Sequence, residues 1–310
     1  MKKLLVLILI LLTISVSGCK ENTKSPLTIL FPEGIPSIAL GGLYDREDLE
    51  FRIVSGPDVL TSELVQDHYD VIVAPITAAA KLYMNGASEY HFAAVLTTGN
   101  SYIVSRKETP LSSLEDLEGK VVASYGEGNT PDIILKAALS SQEVNTTIVY
   151  EASINDVVTN RFMSLQPVDY ILCAEPVLSN LENKMGIELN IINLQTVLEN
   201  DIAFIPQAGI FVKELNEDIL ALLEDIDDNV IALNEDPTSY ASLLVKLDPA
   251  KYPLFQSLGE ETIALSIPRS EIFYARSINI KPQLTQYLNM INTYNSKILG
   301  GNIPDENFIQ

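Results

Sequence analysis

The sequence is short of the residues that most chemistry needs. It has 310 residues, with two cysteines, two histidines and no tryptophan. Cys19 and Cys173 are too few for an intramolecular disulfide framework, so the core must hold by packing. His68 and His91 stand outside any Cys/His cluster, and no Ser/His/Asp order or metal-ligand spacing is present. Positive charge is also scarce: 20 Lys and Arg face 41 Asp and Glu, for a formal net charge of −21. Such a chain repels phosphates, which excludes a nucleic-acid partner. The same charge excludes electrostatic docking on anionic lipid and is read as serving solubility. The N-terminal apolar run Leu4 to Leu12 is well short of the roughly 20 residues that span a bilayer.

That short run is informative in another way. Lys2 and Lys3 precede it and "VSGC" closes it at Cys19, the pattern of a secretory signal removed before folding. Ser17 and Gly18 before Cys19 resemble a bacterial lipoprotein box. The resemblance implies cleavage after residue 18, lipidation of Cys19 and anchoring by two or three chains. The expected organisation is a signal at 1–18, a lipidated tether at 19–26, and a mature chain of 310 − 18 = 292 residues. Loss of Lys2 and Lys3 takes the formal charge from −21 to −23.

From Leu27 short apolar strands alternate with helices: "LTILF", "LEFRIV", "DVIVAP" and "EYHFAAVLT" read as strands with helical segments between them. After "TTGNS" the rhythm restarts with "YIVS", "KVVAS", "TTIVY", "VDYILCA" and "ELNIINL". "DIAFIPQAGIFV" is extended, and the last hundred residues show no strand series. There Leu215 to Leu233 follow 3.6-residue spacing, as do Leu284, Leu288, Ile291 and Ile298. The expectation is an α/β chain with a two-lobed architecture. Each lobe is a mainly parallel sheet flanked by helices, and a helical C-terminal segment packs on the first lobe. Lobe 1 takes residues 27–97 and 207–310, and lobe 2 takes 98–206. Strand-to-helix loops of both lobes then face one cleft, where such sheets bind ligands.

One loop stands out, Ser124–Asp132, "SYGEGNTPD", between a strand and a helix. It lacks the Lys-Ser/Thr of a phosphate loop and carries Glu127 where a phosphate would be repelled. Thr130 as N-cap, Pro131 at the first helical position and Asp132 behind it predict a helix start.

"DVIVAPITAAAKL", "PLSSLEDLEGKVVASYGEGNTPDIILKAAL" and "DYILCAEP", in that order, resemble the lipoprotein substrate-binding proteins of bacterial ABC importers. The nearest branch is the nitrate/sulfonate/taurine and thiamine-pyrimidine-precursor group, and the resemblance covers about residues 27–300. It implies a two-lobed periplasmic-binding-protein-like fold, two crossover strands, closure around a small molecule, a membrane permease with its ATPase as partners, and a monomer outside the cell membrane. It also places five loops at the cleft. They are Glu33, Gly34, Ile35, Pro36 and Ser37; then Pro75, Ile76 and Thr77; then Thr98, Gly99 and Asn100; then Tyr125, Gly126, Glu127, Gly128, Asn129 and Thr130; and then Glu175. Gln207 is a sixth candidate position. Helix N-termini offer unpaired N–H groups, and glycine lets the backbone approach a ligand. Gly34, Gly99 and Gly126 also serve as plain turn residues.

Glu33, Glu127 and Glu175 fall in these loops, while no Lys or Arg does. That balance favours a cationic or nitrogen-rich solute, such as an amine, amidine or protonated heterocycle, over an anion. Phe31, Tyr125 and Phe204 lie near enough to stack on a ring. A sulfonate, nitrate or taurine-type anion remains the alternative. Enzymes of pyrimidine or menaquinone biosynthesis share the fold. The pyrimidine synthases carry a histidine and a cysteine-rich metal motif that have no counterpart here, so no catalytic residue, metal or cofactor is expected.

Overall fold

The computed structural model describes residues 25–55, 57–202 and 204–310. The signal at 1–18, Cys19 and the tether up to residue 24 lie outside the described residues.

Two sheets organise the described chain. The first has the order β11-β4-β10-β3-β1-β2, from β1 (Leu27–Pro32), β2 (Leu49–Val54), β3 (Val71–Pro75), β4 (His91–Thr97), β10 (Ala208–Val212) and β11 (Ile272–Arg276). The second has the order β7-β6-β8-β5-β9, from β5 (Tyr102–Arg106), β6 (Val121–Tyr125), β7 (Thr147–Glu151), β8 (Tyr170–Cys173) and β9 (Leu189–Asn193). Central strands are buried on both faces, which is why they read as continuous apolar runs: Ile29, Leu30 and Phe31 are 0% exposed.

Pairing within each sheet is mixed. β1 is parallel to β2 and β3, and β6 is parallel to β7 and β8. β10 runs against β3 and β4, and β5 against β8 and β9. The direction follows from the route of the chain. β4 ends at Thr97, the chain crosses, and β5 must leave from the same end of the second sheet. β9 ends beside the start of β5, with Asn193 opposite Tyr102, and the return crossing starts β10 beside the ends of β3 and β4. The strand ends that carry the crossings therefore face one another. The two crossings also bond together: Ile205 N–H donates to the Thr98 carbonyl, Gln207 N–H to Thr97, and Leu194 N–H to Ser101.

Helices α1 (Ile35–Ala39), α2 (Pro57–Gln66) and α3 (Ile76–Met84) connect strands of the first sheet; α4 (Thr130–Ser141), α5 (Val177–Asn183) and α6 (Leu194–Leu198) belong to the second half. The C-terminal part supplies α7 (Glu217–Glu235), α8 (Pro237–Leu244), α9 (Pro253–Leu258), α10 (Glu260–Ser266) and α11 (Lys281–Asn295). The apolar stripe from Ile219 to Leu233 packs on the face of the first sheet that carries Ile29, Val73 and Ala94. Asn216 starts α7 by accepting the Ile219 N–H, one of the donors a helix leaves unpaired. α11 lies on the other face, where Leu284, Tyr287, Leu288 and Ile291 join a core that includes Ile133 and Ile134 of α4. β11 is the strand that the sequence pattern does not announce. In "IFYAR" only Ile272 is buried, and an edge strand needs little apolar burial to pair with β4.

Candidate functional site

The loops at the facing strand ends fall into two groups. One group is occupied by bonds within the chain. The hydroxyl of Ser37 donates to the Pro32 carbonyl, and Ser37 is 0% exposed. Glu33 is exposed, with its own N–H donated to Val54. Gly34 has φ 102°, a conformation that favours glycine, and it precedes the buried Ile35 and half-buried Pro36. In the first crossing, the Thr98 hydroxyl donates to the Glu271 carbonyl. A Cβ at Gly99 would clash with the side-chain amide of Gln195, so the backbone packs directly under that side chain. Asn100, at φ 92°, clasps the backbone of Glu175: its Nδ2 donates to the Glu175 carbonyl and its Oδ1 accepts the Glu175 N–H. Gln207 acts through its backbone, donating to Thr97 and accepting from Ile76 N–H. Thr98, Gly99, Asn100 and Gln207 thus build the crossings.

Glu175 does not offer its carboxylate to the space between the sheets. The side chain is 0% exposed and folds over the start of α5, accepting Ser179 N–H at 3.0 Å and Ser179 Oγ at 2.9 Å. Arg269 Nη1 lies 3.8 Å away and is shared with Glu182. Burial raises the Glu175 pKa to about 7, opposed by the Ser179 bonds and by Arg269, while Glu182 adds to the rise.

The second group is presented. In Ser124–Asp132, Gly126 and Gly128 have φ 67° and 74°, and the turn closes with Asn129 N–H donating to the Gly126 carbonyl. Glu127 sits at the exposed tip and makes no hydrogen bond or ion pair with any described residue. Tyr125 is half-buried below it, and burial pushes its phenol pKa up. The expected Thr130 cap is corrected: Asn129 is the N-cap residue, without a side-chain cap bond, and Thr130 is the first helical residue. Asp132 holds the loop instead. Fully buried, it accepts Gly128 N–H at 2.8 Å, Tyr150 OH at 2.6 Å and Lys136 Nζ at 2.8 Å.

Freed from capping, the Thr130 hydroxyl lies 3.3 Å from that of Thr77. Thr77 is 7% exposed and sits in the first turn of α3, behind exposed Pro75 and buried Ile76. α3 follows the first sheet and α4 the second, so two helix N-termini from different sheets meet here. Neither has a side-chain cap. On the α11 side, Asn295 Nδ2 donates to the Gly128 carbonyl at 2.6 Å, and Tyr287 lies beside Thr130. Tyr287 and Asn295 lie outside the five loops that the sequence pattern points to. The only sequence signal was a tyrosine inside the apolar stripe Leu284–Ile291. Among the described residues no group of His, Cys, Asp or Glu is placed to hold a metal ion.

Two mixed sheets joined by two crossings, with helix N-termini converging between them, define the periplasmic-binding-protein-like architecture. Residues 39–209 match the family model described as NMT1/THI5 like, and the chain belongs to that family. An ABC transporter protein from Parabacteroides distasonis has a similar structure, with TM-score 0.78 and 21% identity over 93% of this chain and 99% of that one. The periplasmic aliphatic sulphonate binding protein SsuA from Escherichia coli gives TM-score 0.68 at 15% identity, covering 93% and 91%. The alkanesulfonate-binding protein SsuA from Xanthomonas axonopodis pv. citri, bound to MOPS, gives 0.60 at 12%, covering 92% and 96%. At these identities the likeness is one of fold. No curated protein matches the chain.

Proposed function

We propose that the chain is the extracytoplasmic solute-binding component of an ABC importer, anchored by lipid at Cys19 on the outer face of the cell membrane. In this reading lobe 1 (27–97 and 207–310) and lobe 2 (98–206) close as a monomer on a small solute. The closed form then delivers the solute to a permease and its ATPase. The observation that carries the proposal is the Thr77–Thr130 contact, which joins helix N-termini of the two sheets beside a two-stranded crossing. Closure is driven by the solute's greater affinity for the closed form.

The solute is nitrogen-containing or cationic, of the pyrimidine-precursor kind. Glu33 and Glu127 remain exposed without ion-pair partners among the described residues, and the five loops carry no Lys or Arg. With Glu175 turned away, the acidic field at the rim rests on these two residues. The withdrawal of Glu175 also favours a second reading, an anion seated on the two helix N-termini as in a sulfonate receptor.

Thermal-shift and native mass-spectrometric screening of the purified protein against amines, amidines, aminopyrimidines, sulfonates and nitrate tests both readings. Binding of the nitrogen compounds is the expected result. Preference for sulfonate or nitrate would reverse the charge assignment and leave the receptor reading standing. A screen with no small-molecule ligand would sink the receptor reading itself.

A further inference from the structure

The loops supply two hydroxyls, Thr77 and Thr130, and the C-terminal helix brings a third. Tyr287 is 0% exposed, and among the described residues its hydroxyl forms no well-aligned hydrogen bond, although Thr130 lies next to it. Buried hydroxyls are nearly always paired, and one that is not points to a partner outside the chain. The proton count sharpens this. If one threonine hydroxyl donates to the other at 3.3 Å, the second keeps a proton to give, and Tyr287 keeps another. The main-chain donors agree. At the starts of α3, 9 residues long, and α4, 12 residues long, the Ile76 N–H is taken by the Gln207 carbonyl and Pro131 has none, while the Thr77 and Thr130 N–H groups receive no side-chain cap and lie at the positive ends of the helix dipoles. Each hydroxyl and open N–H gathered at this point can donate, and none is a formal cation.

We infer that Tyr287, together with Thr77 and Thr130, forms a donor subsite that binds an acceptor oxygen of the solute, so that the C-terminal helix helps to set specificity. The inference rests on the solute-receptor reading and deepens it. The solute would turn a carbonyl or oxoanion oxygen toward the three hydroxyls and its nitrogen end toward the rim that carries Glu33 and Glu127. A donor set of neutral hydroxyls and helix ends serves a carbonyl as well as an oxoanion, and the test separates the two.

The test uses acetamide, acetate and methanesulfonate as probes on the whole purified protein, followed by saturation-transfer NMR and thermal unfolding. At least one probe should bind: acetamide alone identifies a carbonyl subsite, and acetate or methanesulfonate an oxoanion subsite. Tyr287→Phe should weaken that binding by roughly 2–10-fold, and the Thr77→Val/Thr130→Val double variant by at least as much. Without probe, Tyr287→Phe should unfold at the same temperature or higher, because the hydroxyl it removes makes no well-aligned bond with any described residue. A lower midpoint makes the hydroxyl structural and overturns the inference. Equal binding by parent and Tyr287→Phe, or binding by none of the three probes, overturns it too. In the last two cases a larger ligand found by the solute screen would still uphold the receptor reading, so the two failures are distinguishable.

Discussion

Ser124–Asp132 and Cys173–Ser179 are both turns from a strand of the second sheet into a helix, and each carries a glutamate. Their outcomes are opposite. In the first, Gly126 and Gly128 adopt left-handed backbone and lift Glu127 into solvent, while Asp132 is buried beneath the turn. In the second there is no glycine. Asn100 clasps both backbone groups of Glu175, and the carboxylate itself goes inward to Ser179. Each turn therefore buries one carboxylate against a main-chain N–H four residues away, Gly128 for Asp132 and Ser179 for Glu175. What differs is which acidic residue does it, and that decides which glutamate is left for a solute.

The largest expected effect comes from removing the support of the presented loop. Asp132→Ala would strand the Gly128 N–H and the Tyr150 hydroxyl and free Lys136, whose side chain is 43% exposed and so loses less. Loss of about 3 kcal/mol is expected from urea unfolding, with Asp132→Asn costing less because an amide oxygen still accepts. A loss below about 1 kcal/mol would mean that the glycines shape the turn unaided, and the parallel between the two buried carboxylates would fail.

The next effect sets Glu175 apart by its proton. Its pKa is about 7 in the folded protein against 4.5 as the ordinary value. Between those values the native state holds a proton that the unfolded chain has released, so stability falls as pH rises through this window. Glu175→Gln cannot release that proton, and its oxygen can still accept from Ser179. Relative to the parent, the Gln variant should therefore gain about 2 kcal/mol in urea unfolding between pH 5 and pH 8. Parallel stability curves for the two proteins would show Glu175 to be ionised in the native state, held by Arg269.

Much of the frame was legible in advance, because strands buried on both faces leave continuous apolar runs and helices leave a 3.6-residue stripe. "LTILF" and Leu215–Leu233 are examples. β11 was not legible: an edge strand with one buried residue leaves no pattern. The position of the presented loop was also readable, since its glycines lie between a strand and a helix. The fate of its neighbours was not. Whether Thr130 caps its own helix or reaches Thr77 depends on a residue 53 positions away. Whether Glu175 faces in or out depends on Asn100 in a different strand connection. Tyr287 was hidden for the opposite reason, because a tyrosine in an apolar stripe looks like core and only its poorly satisfied hydroxyl marks it out.

The smallest effect is the most discriminating for function. Glu127→Gln and Glu33→Gln should leave the unfolding midpoint unchanged, since neither exposed carboxylate has a partner among the described residues. With benzamidine as a cationic probe, each change should weaken binding by roughly 2–5-fold at low salt. The deficit should shrink as salt is raised, because exposed charges are screened within about 10 Å at 0.1 M. A stability loss on Glu127→Gln would show that this carboxylate, like that of Glu175, belongs to the fold. Unchanged benzamidine affinity at low salt would instead show that Glu127 is presented to solvent alone. The two hydroxyl-bearing helix ends would then remain as the groups that choose the solute.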